Sequence, residues 1–359
     1  MKNKSYKFRI YPNTKQEILI NKTFGMVRKY WNECVASFNS YDYWYNPKPR
    51  YDTAKEFREK YPWAKELSAT PLQQKFGDFL GTQKQFFNKK RKVPVGRMKF
   101  KSKNYSRASY RVTNDRFKIK GDAVRIQKIG WVKCVFDREV EGRILSATIS
   151  KNSSNQYFVS IVTEQEIRHK PKTNKSIALD MGILHFCTDN KGNKLANPKF
   201  LNQNLDELTK LQRFLSKKTK GSRRFKKCKL KIARLHQKIK NQREHFLDNL
   251  STSLVNNFDK IAVEDLNVQK MLEKGKTNRL SKHISDVSWS KFFEMLNYKC
   301  DWYGKELIKV NPMNTSKICS RCGKIKDMPL SQRVYECSCG LNLDRDHNAA
   351  KNILKLACS

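Results

Sequence analysis

The stretch that decides how this chain is interpreted contains Cys319-Ser320-Arg321-Cys322, Cys337-Ser338-Cys339 and Asp344-Arg345-Asp346-His347-Asn348-Ala349-Ala350. The two cysteine pairs supply four thiolates, which is the ligand set of tetrahedral zinc, and Gly323 and Gly340 suit the tight turn after each pair. Because all four ligands would come from the protein, such a zinc is predicted to be structural; a redox pair is the alternative. The third block places acidic residues where a helix is predicted to begin.

Two further acids stand at the ends of apolar, strand-like runs. They are Asp180, after Ser176-Ile177-Ala178-Leu179, and Glu264, after Lys260-Ile261-Ala262-Val263. Alone, an acid at the end of a strand is usually a turn residue. The order of strand-Asp, strand-Glu and helix-Asp matters, since three carboxylates can hold two divalent cations about 3.5–4 Å apart and support phosphodiester hydrolysis. We take Asp346 as the third acid, and expect Asp344 and Asp265 to cap a helix or form ion pairs.

The charge of the chain indicates a polyanionic partner. Its 359 residues include 75 Lys and Arg against 33 Asp and Glu, which gives a formal net charge of +42. The basic residues are spread over the whole length, which favours nucleic-acid binding over a basic targeting arm; a ribosomal-type or merely basic protein is the alternative. The remaining six cysteines are scattered, the N-terminus is not an apolar signal segment, and no run of about 18 apolar residues predicts a membrane span. A cytoplasmic location, in the prokaryotic cytoplasm or nucleoid, is therefore expected.

Hydrophobic periodicity divides the chain into segments with different predicted secondary structure. A strand over 5–11 is predicted to lead through Asn13 into a helix over 15–38, with Ile18, Phe24, Val27, Tyr30 and Trp31 on one face. Residues 41–63 are aromatic and irregular, and a second helix is predicted to start at Pro71. Six short strands between 108 and 165 predict a small β-barrel. After a linker-like segment at 170–175, strands are predicted to alternate with helices. A long basic helix is predicted over 205–256, with an interruption near 220.

Several motifs together resemble the TnpB family of transposon-encoded RNA-guided nucleases, which are relatives of type V CRISPR effectors. They comprise Lys7-Phe8-Arg9-Ile10-Tyr11-Pro12, Lys99-Phe100-Lys101-Ser102, Ala178-Leu179-Asp180-Met181-Gly182, Val263-Glu264-Asp265-Leu266, Thr315-Ser316-Lys317 and the C-terminal blocks quoted above. The resemblance implies a multidomain α+β fold. Its expected parts are a wedge β-barrel (1–14 and 106–170), a helical recognition insert (15–105), a RuvC or RNase H-like α/β nuclease (171–314 and 342–359) and a zinc ribbon (315–341).

The resemblance also implies an activity, namely magnesium-dependent, RNA-guided DNA cleavage by a protein of a transposable element. Asp180, Glu264 and Asp346 are the implied catalytic magnesium ligands, and Cys319, Cys322, Cys337 and Cys339 the zinc ligands. The implied partners are a guide RNA and target double-stranded DNA, bound by a monomeric protein within a ribonucleoprotein. Residues that could touch nucleic acid, although each could equally serve only in packing, are Gln73, Gln74, Lys75, Lys99, Lys101 and Lys103.

Two other functions stay open from the sequence. One is an RNA-guided DNA-binding repressor that does not cut, and the other is a transposase or recombinase that acts without a guide. Repressors of this origin are expected to lack acids of the triad, and all three acids are present. The sequence therefore favours cleavage.

Overall fold

The structure is a computed structural model that describes residues 1–358, with the exception of 41–49, 89, 91–95, 105–107, 275–280 and 330; of residues 274 and 282 it describes only the backbone. The chain divides into two compact units, Met1–Glu166 and Ile167–Ser359. None of the described helices is both long enough and apolar enough to span a bilayer.

The first unit is built on a seven-stranded antiparallel sheet. In chain order its strands are β1 (Lys2–Tyr11), β2 (Ala108–Thr113), β3 (Phe117–Lys120), β4 (Ala123–Ile126), β5 (Gly130–Val135), β6 (Arg143–Lys151) and β7 (Tyr157–Gln165). They are hydrogen-bonded in the order β2-β6-β7-β1-β5-β4-β3. Side chains from both edge strands, Val112 of β2 and Phe117 of β3, share one core with Phe8 of β1 and Val159 of β7. A sheet whose edges meet in one core is curled, so the predicted small barrel is present in a nearly closed form.

Between β1 and β2 the described residues form three α-helices, α1 (Thr14–Asn39), α2 (Ala54–Lys60) and α3 (Thr70–Phe86), and a 3-10 turn (Pro62–Glu66). The predicted start of α1 is confirmed, because the Asn13 side chain accepts a hydrogen bond from the backbone N–H of Gln16. The helices pack through aromatic side chains, among them Tyr30, Trp31, Phe57 and Phe79.

Two sequence-based expectations about this helical region are wrong. Residues 54–60 form α2 and are not irregular, since Thr53 and Glu56 form a capping box that starts this helix; residues 41–49 of the same predicted stretch lie outside the described residues. Ile18 was expected on the buried face of α1 but is 51% exposed.

The second unit contains a five-stranded mixed sheet. Its strands are β8 (Ser176–Met181), β9 (His185–Asp189), β10 (Lys194–Ala196), β11 (Lys260–Glu264) and β12 (Glu306–Val310), in the order β10-β9-β8-β11-β12. Strands β8, β11 and β12 are parallel, and β9 is antiparallel to both of its neighbours. The parallel strands have almost continuous apolar sequences because the sheet is covered on both faces.

Helices cover both faces of this sheet. The helices described in this unit are α4 (Phe200–Gln203), α5 (Leu205–Ser216), α6 (Arg223–Asn257), α7 (Val268–Lys274), α8 (Ser281–Val287), α9 (Trp289–Tyr303) and α10 (Arg345–Cys358), of which α4 and α5 pack against α6. Leu247 of α6 and Phe292 of α9 belong to the core with β8 and β11. Ile353 of α10 packs against Ala178 and Ala262, whose small side chains let the helix approach the sheet.

The cysteine-containing segment lies between β12 and α10. Its hairpin consists of β13 (Val334–Glu336) and β14 (Asn342–Asp344), and Tyr335 and Leu341 form a small core with Cys319. The finer division of the chain into four domains, as the sequence suggests, stays a prediction.

Candidate metal centres

The structure brings the three predicted acids together at one edge of the five-stranded sheet. Asp180 and Glu264 directly follow Leu179 and Val263, which are paired across the parallel strands β8 and β11. Asp346 is the second residue of α10, the helix that packs on these strands. Burial raises the pKa of Asp180 well above its usual range, and the negative charges of Glu264 and Asp346 raise it further. The side chain of Asp180 therefore interacts electrostatically with both of the other acids.

A buried hydroxyl orients the carboxylate of Glu264. This side chain is 8% exposed, and Thr315 Oγ1 donates a hydrogen bond to Glu264 Oε1. Burial raises the pKa of Glu264, and the hydrogen bond from Thr315 partly opposes that effect. Thr315 was noticed in the sequence only as part of a motif, because nothing local predicts a partner 51 residues away.

The first turn of α10 is held by Asp344, as the sequence predicted. Asp344 Oδ1 accepts the backbone N–H groups of Asp346 (3.0 Å) and His347 (3.2 Å), and Asp344 Oδ2 accepts Lys194 Nζ of β10 at 2.6 Å. Both carboxylate oxygens of Asp344 are thus occupied by this helix and by the sheet. Asp265, also predicted to form an ion pair, contacts Lys309 at 3.4 Å.

The turn after β9 links α10 to the strand of Asp180. His347 Nε2 lies 3.3 Å from the backbone oxygen of Asn190, and Asn190 Oδ1 accepts the backbone N–H of Ala178 at 3.0 Å. Because Ala178 precedes Asp180 by two residues, one turn contacts the elements of two of the three acids.

The three acids fit a hard divalent cation. Within the described part of the chain, none of them forms an ion pair with Lys or Arg within 4.0 Å. Glu264 is buried and Asp180 and Asp346 are half-buried, and carboxylates that lie close together without such an ion pair are the oxygen ligands that these cations bind. The carboxylate oxygens of the three acids do not all lie within 4.8 Å of one another. Among the described residues, only the ligand atoms of the four cysteines are that close together.

The cysteine cluster fits tetrahedral zinc. The distance between the Sγ atoms is 3.6 Å both for Cys319 and Cys339 and for Cys322 and Cys337. A tetrahedron with Zn–S bonds of about 2.3 Å has sulfur atoms about 3.8 Å apart. Gly323 (φ 78°) and Gly340 (φ 81°) adopt left-handed backbone conformations after the two pairs, which explains the glycines there.

Buried amide side chains connect the cysteine segment to α10. Asn348 is fully buried; its Oδ1 accepts Ser320 N at 2.9 Å, and its Nδ2 donates to Ile318 O at 2.8 Å. Asn352 Nδ2 donates to the same Ile318 oxygen at 2.7 Å. Sequence reasoning gave these asparagines no role, although an asparagine inside a helix is unfavourable unless its side chain finds partners.

The six residues predicted to touch nucleic acid lie on α3 and on residues 99–103 before β2. Gln73, Lys99 and Lys103 are exposed, and Gln74 is half-buried. Lys75 and Lys101 lie next to the ring of Trp31, with their Nζ atoms 5.9 and 3.9 Å from its centroid. The structure thus brings Lys75 and Lys101 together at one ring, and a role of the six residues in binding stays a prediction.

Curated proteins resemble this chain over nearly its full length. A protein of Streptomyces pristinaespiralis named "Putative RNA-guided DNA endonuclease" is 34% identical over 368 residues, which cover 98% of this chain and 88% of the relative. A TnpB-like protein of Acanthamoeba polyphaga mimivirus is 35% identical over 211 residues, covering 55% of this chain and 40% of that protein. The chain belongs to the TnpB family. Another relative of this TnpB-family chain, "Putative RNA-guided DNA endonuclease InsQ" of Escherichia coli, is 29% identical and covers 98% of this chain and 91% of its own.

Family models match three parts of this TnpB-family chain. Their descriptions are "Probable transposase" for residues 160–275, "Cas12f1-like, TNB domain" for 289–353 and "Helix-turn-helix domain" for 1–41. In the last range the structure has one strand, β1, followed by the single helix α1.

Solved structures resemble the chain only distantly. A Cas12f1–sgRNA–target DNA complex aligns with a TM-score of 0.37 and 17% identity, covering 98% of this chain and 99% of that one. CasPhi-2 bound to crRNA aligns with a TM-score of 0.43 and 10% identity, covering 100% and 98%. TM-scores of this size support no conclusion about fold or activity.

Proposed function

We propose that this TnpB-family protein is an RNA-guided DNA endonuclease of a transposable element. It would hydrolyse phosphodiesters of double-stranded DNA at a guide-matched site, beside a short duplex motif that the protein reads. The main support is the convergence of Asp180, Glu264 and Asp346, without basic partners among the described residues, at one sheet edge. That observation is made in a chain 34% identical to a protein with this name.

We further propose that the five-stranded sheet and its helices are a RuvC or RNase H-like nuclease domain. The support is a mixed sheet in which two adjacent parallel strands provide acids and a C-terminal helix packed on the same sheet provides the third. The barrel would then be the wedge, α1 to α3 the recognition insert, and the cysteine segment the zinc ribbon.

Asp180, Glu264 and Asp346 would hold magnesium, which supplies an activated water and neutralises charge on the leaving oxygen. The chain's own residues fix these ligands. Thr315 holds the carboxylate of Glu264 by a hydrogen bond, and Asp344 fixes the first turn of α10 so that Asp346 keeps its place beside Asp180. Preorganised ligands avoid reorganisation during the reaction.

A structural zinc would be bound by Cys319, Cys322, Cys337 and Cys339. With four protein ligands it has no open position for substrate. Its effect on cleavage would be indirect, because Asn348 and Asn352 join α10 to the backbone next to Cys319.

The partners would be a guide RNA and target DNA, with sequence specificity delegated to base pairing. The net charge of +42 supports a polyanionic partner. Gln73, Gln74, Lys75, Lys99, Lys101 and Lys103 remain proposed contacts.

The proposal is tested by exchanging the targeting segment of the guide. We expect the cut to move to DNA that matches the new guide, while the adjacent duplex motif stays the same. Equal cleavage of matched DNA after complete RNase treatment would refute guided cleavage and favour a recombinase or plain nuclease. Guide-dependent binding without any cleavage in magnesium would favour the repressor.

The acidic site is tested by replacing each acid with alanine. We expect Asp180→Ala, Glu264→Ala and Asp346→Ala each to abolish cleavage while RNA and target binding persist, since affinity comes largely from phosphate contacts elsewhere. Asp265→Ala is the matched control, because Asp265 is an exposed neighbour of Glu264 that pairs with Lys309. The Asp265→Ala protein should cleave DNA normally. Full activity of Asp346→Ala would assign the role to another acid.

A further inference from the structure

A small basic pocket lies in the first unit, formed by α1, α3, β2 and residues 101–102. Arg28, Lys75, Lys101, Ser102 and Ser109 line it, together with the buried apolar side chains of Phe24 and Val27 and the half-buried Ala108. Its volume is about 60 Å³. These lining residues include three cations and two hydroxyls and no acid, so among the described residues the pocket has an excess of positive charge.

The nearest acid does not balance this charge. Asp78 Oδ2 accepts Lys75 Nζ at 2.8 Å, but its other oxygen accepts Arg111 Nη2 at 2.9 Å. One carboxylate is therefore shared by two cations. The ammonium of Lys101 lies 3.9 Å from the centroid of the Trp31 ring. Burial, and then the charge of Lys75, lowers the pKa of Lys101 to about 8. Half-buried positive charge thus lies here without an equal negative charge among the described residues, which is unfavourable in a free protein.

The segment that positions Lys101 is fixed on α1. Lys101 N donates to Asn32 Oδ1 at 2.8 Å, and Asn32 Nδ2 donates to Lys101 O at 3.0 Å. Trp31 Nε1 donates to Lys99 O at 3.2 Å. The backbone of this lysine is consequently ordered before any ligand binds, and preorganisation of this kind lowers the cost of binding.

We propose that this pocket binds a single backbone phosphate of a nucleic acid, between Arg28, Lys75 and Lys101. The pocket is far smaller than the roughly 300 Å³ at which sites for whole small molecules begin, so it suits one compact anion and not a nucleobase. Cations and hydroxyl donors that line a small cavity are the groups that bind phosphate oxygens. The site rests on the proposed function only in that nucleic acid is the partner.

Phosphates of RNA and of DNA would present the same chemistry, so the experiment uses both. The probes are a guide-length RNA and a DNA duplex, and binding to the full-length protein is measured against salt concentration. Lys75→Met and Lys101→Met should each make the slope of log K against log salt shallower, by about 0.9 for duplex DNA or about 0.7 for a single strand, for the probe whose phosphate occupies the pocket. The other probe should show no change.

A double variant separates one shared phosphate from two independent surface contacts. Lys75→Met with Lys101→Met should lose no more than either single variant, since both lysines hold the same group. Lys75→Met with Lys103→Met is the matched control, because Lys103 is exposed in the same segment; its effects should add. Additive losses for Lys75 and Lys101 would overturn the shared site.

Thermal unfolding of the nucleic-acid-free protein tests whether Lys101 serves packing instead. Because the pocket concentrates unbalanced buried charge, Lys101→Met should unfold at the same or a higher temperature than the parent while binding nucleic acid less tightly. A lower unfolding temperature with an unchanged salt slope would overturn the proposal and leave the proposed function standing, provided that the parent binds and cuts. A parent protein that binds neither probe would refute both.

Discussion

Asp344 directly precedes α10 and Asp346 lies in its first turn, and the two acids have different surroundings. The oxygens of Asp344 accept Lys194 Nζ and two backbone N–H groups of α10, whereas the charge of Asp346 acts on Asp180. The sequence allowed this assignment, since an acid that directly precedes a helix is a favourable cap. It could not reveal Lys194, which lies 150 residues away.

We predict that capping by Asp344 supports cleavage through the position of Asp346. Asp344→Ala removes the cap, which typically costs about 1 kcal/mol of stability, and a ligand displaced by about 1 Å can slow the reaction about 100-fold. Asp344→Asn keeps an acceptor for the helix and should retain most of the stability and activity. Single-turnover cleavage and thermal unfolding measure the two effects, with target binding as a control. A parental cleavage rate in Asp344→Ala would contradict this role.

At the scale of elements, local patterns predicted most strands and helices but not their arrangement. The apolar runs before Asp180 and Glu264 form β8 and β11, and the predicted stripe on α6 packs through Leu235 and Ile239 against α5. The order of strands could not be predicted from periodicity, because it depends on contacts between distant segments. That order is what makes Asp180 and Glu264 neighbours.

The start of α2 carries a local sequence signal. Thr53 and Glu56 have the spacing of a capping box, which predicts a helix start. The many aromatic residues of this region masked the signal, and they belong to a core: Phe57 is fully buried against Tyr30.

We predict that each chain binds one zinc ion, and that hydrogen bonds between the zinc segment and α10 stabilise the position of this helix. Cys322→Ser should lose zinc, destabilise the C-terminal segment and impair cleavage, because binding energy at such sites is folding energy. Asn348→Ala should retain zinc, but its free energy of unfolding should fall by about 1–3 kcal/mol, because the Ser320 N–H and the Ile318 C=O lose a buried hydrogen-bond partner. Elemental analysis, unfolding and cleavage distinguish the variants. A well-folded, active preparation without zinc would exclude the site.

The start of β12 predicts a response of stability to acid. The buried Lys305 ammonium donates hydrogen bonds to Asp259 Oδ1 and to the backbone oxygen of Pro171. The hydrogen bond from Lys305 to Asp259 is the main reason that the pKa of Asp259 falls to about 2. An unfolded aspartate has a pKa of about 3.9. The unfolded chain therefore takes up the proton first as pH falls, so the stabilisation is complete above about pH 4 and disappears toward pH 2.

Denaturant unfolding at pH 5, 4, 3 and 2 would measure this contribution. Asp259→Asn should be less stable than the parent at pH 5, and the difference should shrink as pH falls. Asp206→Asn, at an exposed aspartate of the same unit, provides the control. A difference between parent and Asp259→Asn that stays constant down to pH 2 would show that the Asp259 carboxylate adds no acid-dependent stability.

At the scale of the whole molecule, the positive charge is concentrated on particular faces as well as spread along the chain. The first half of α6, residues 223–240, has nine exposed Lys and Arg side chains and no acid. With a rise of 1.5 Å per residue this basic stretch extends over about 27 Å. The sequence predicted this surface directly, because the apolar stripe leaves the cations on the opposite side of the helix.

We predict that cations in this basic stretch of α6 contribute more to RNA binding than the same number of paired cations elsewhere in the chain. Replacing Lys227, Lys231 and Arg234 by Gln should weaken binding of guide RNA and make its salt dependence shallower, by about 0.7 in slope for each lost phosphate contact. The control replaces Lys22, Lys60 and Lys260, which pair with Glu66, Asp52 and Glu306. Both variants lower the net charge by three, but the control cations already have acidic partners within the protein. Equal losses in the two variants would mean that total charge, and not the basic stretch of α6, determines affinity for RNA.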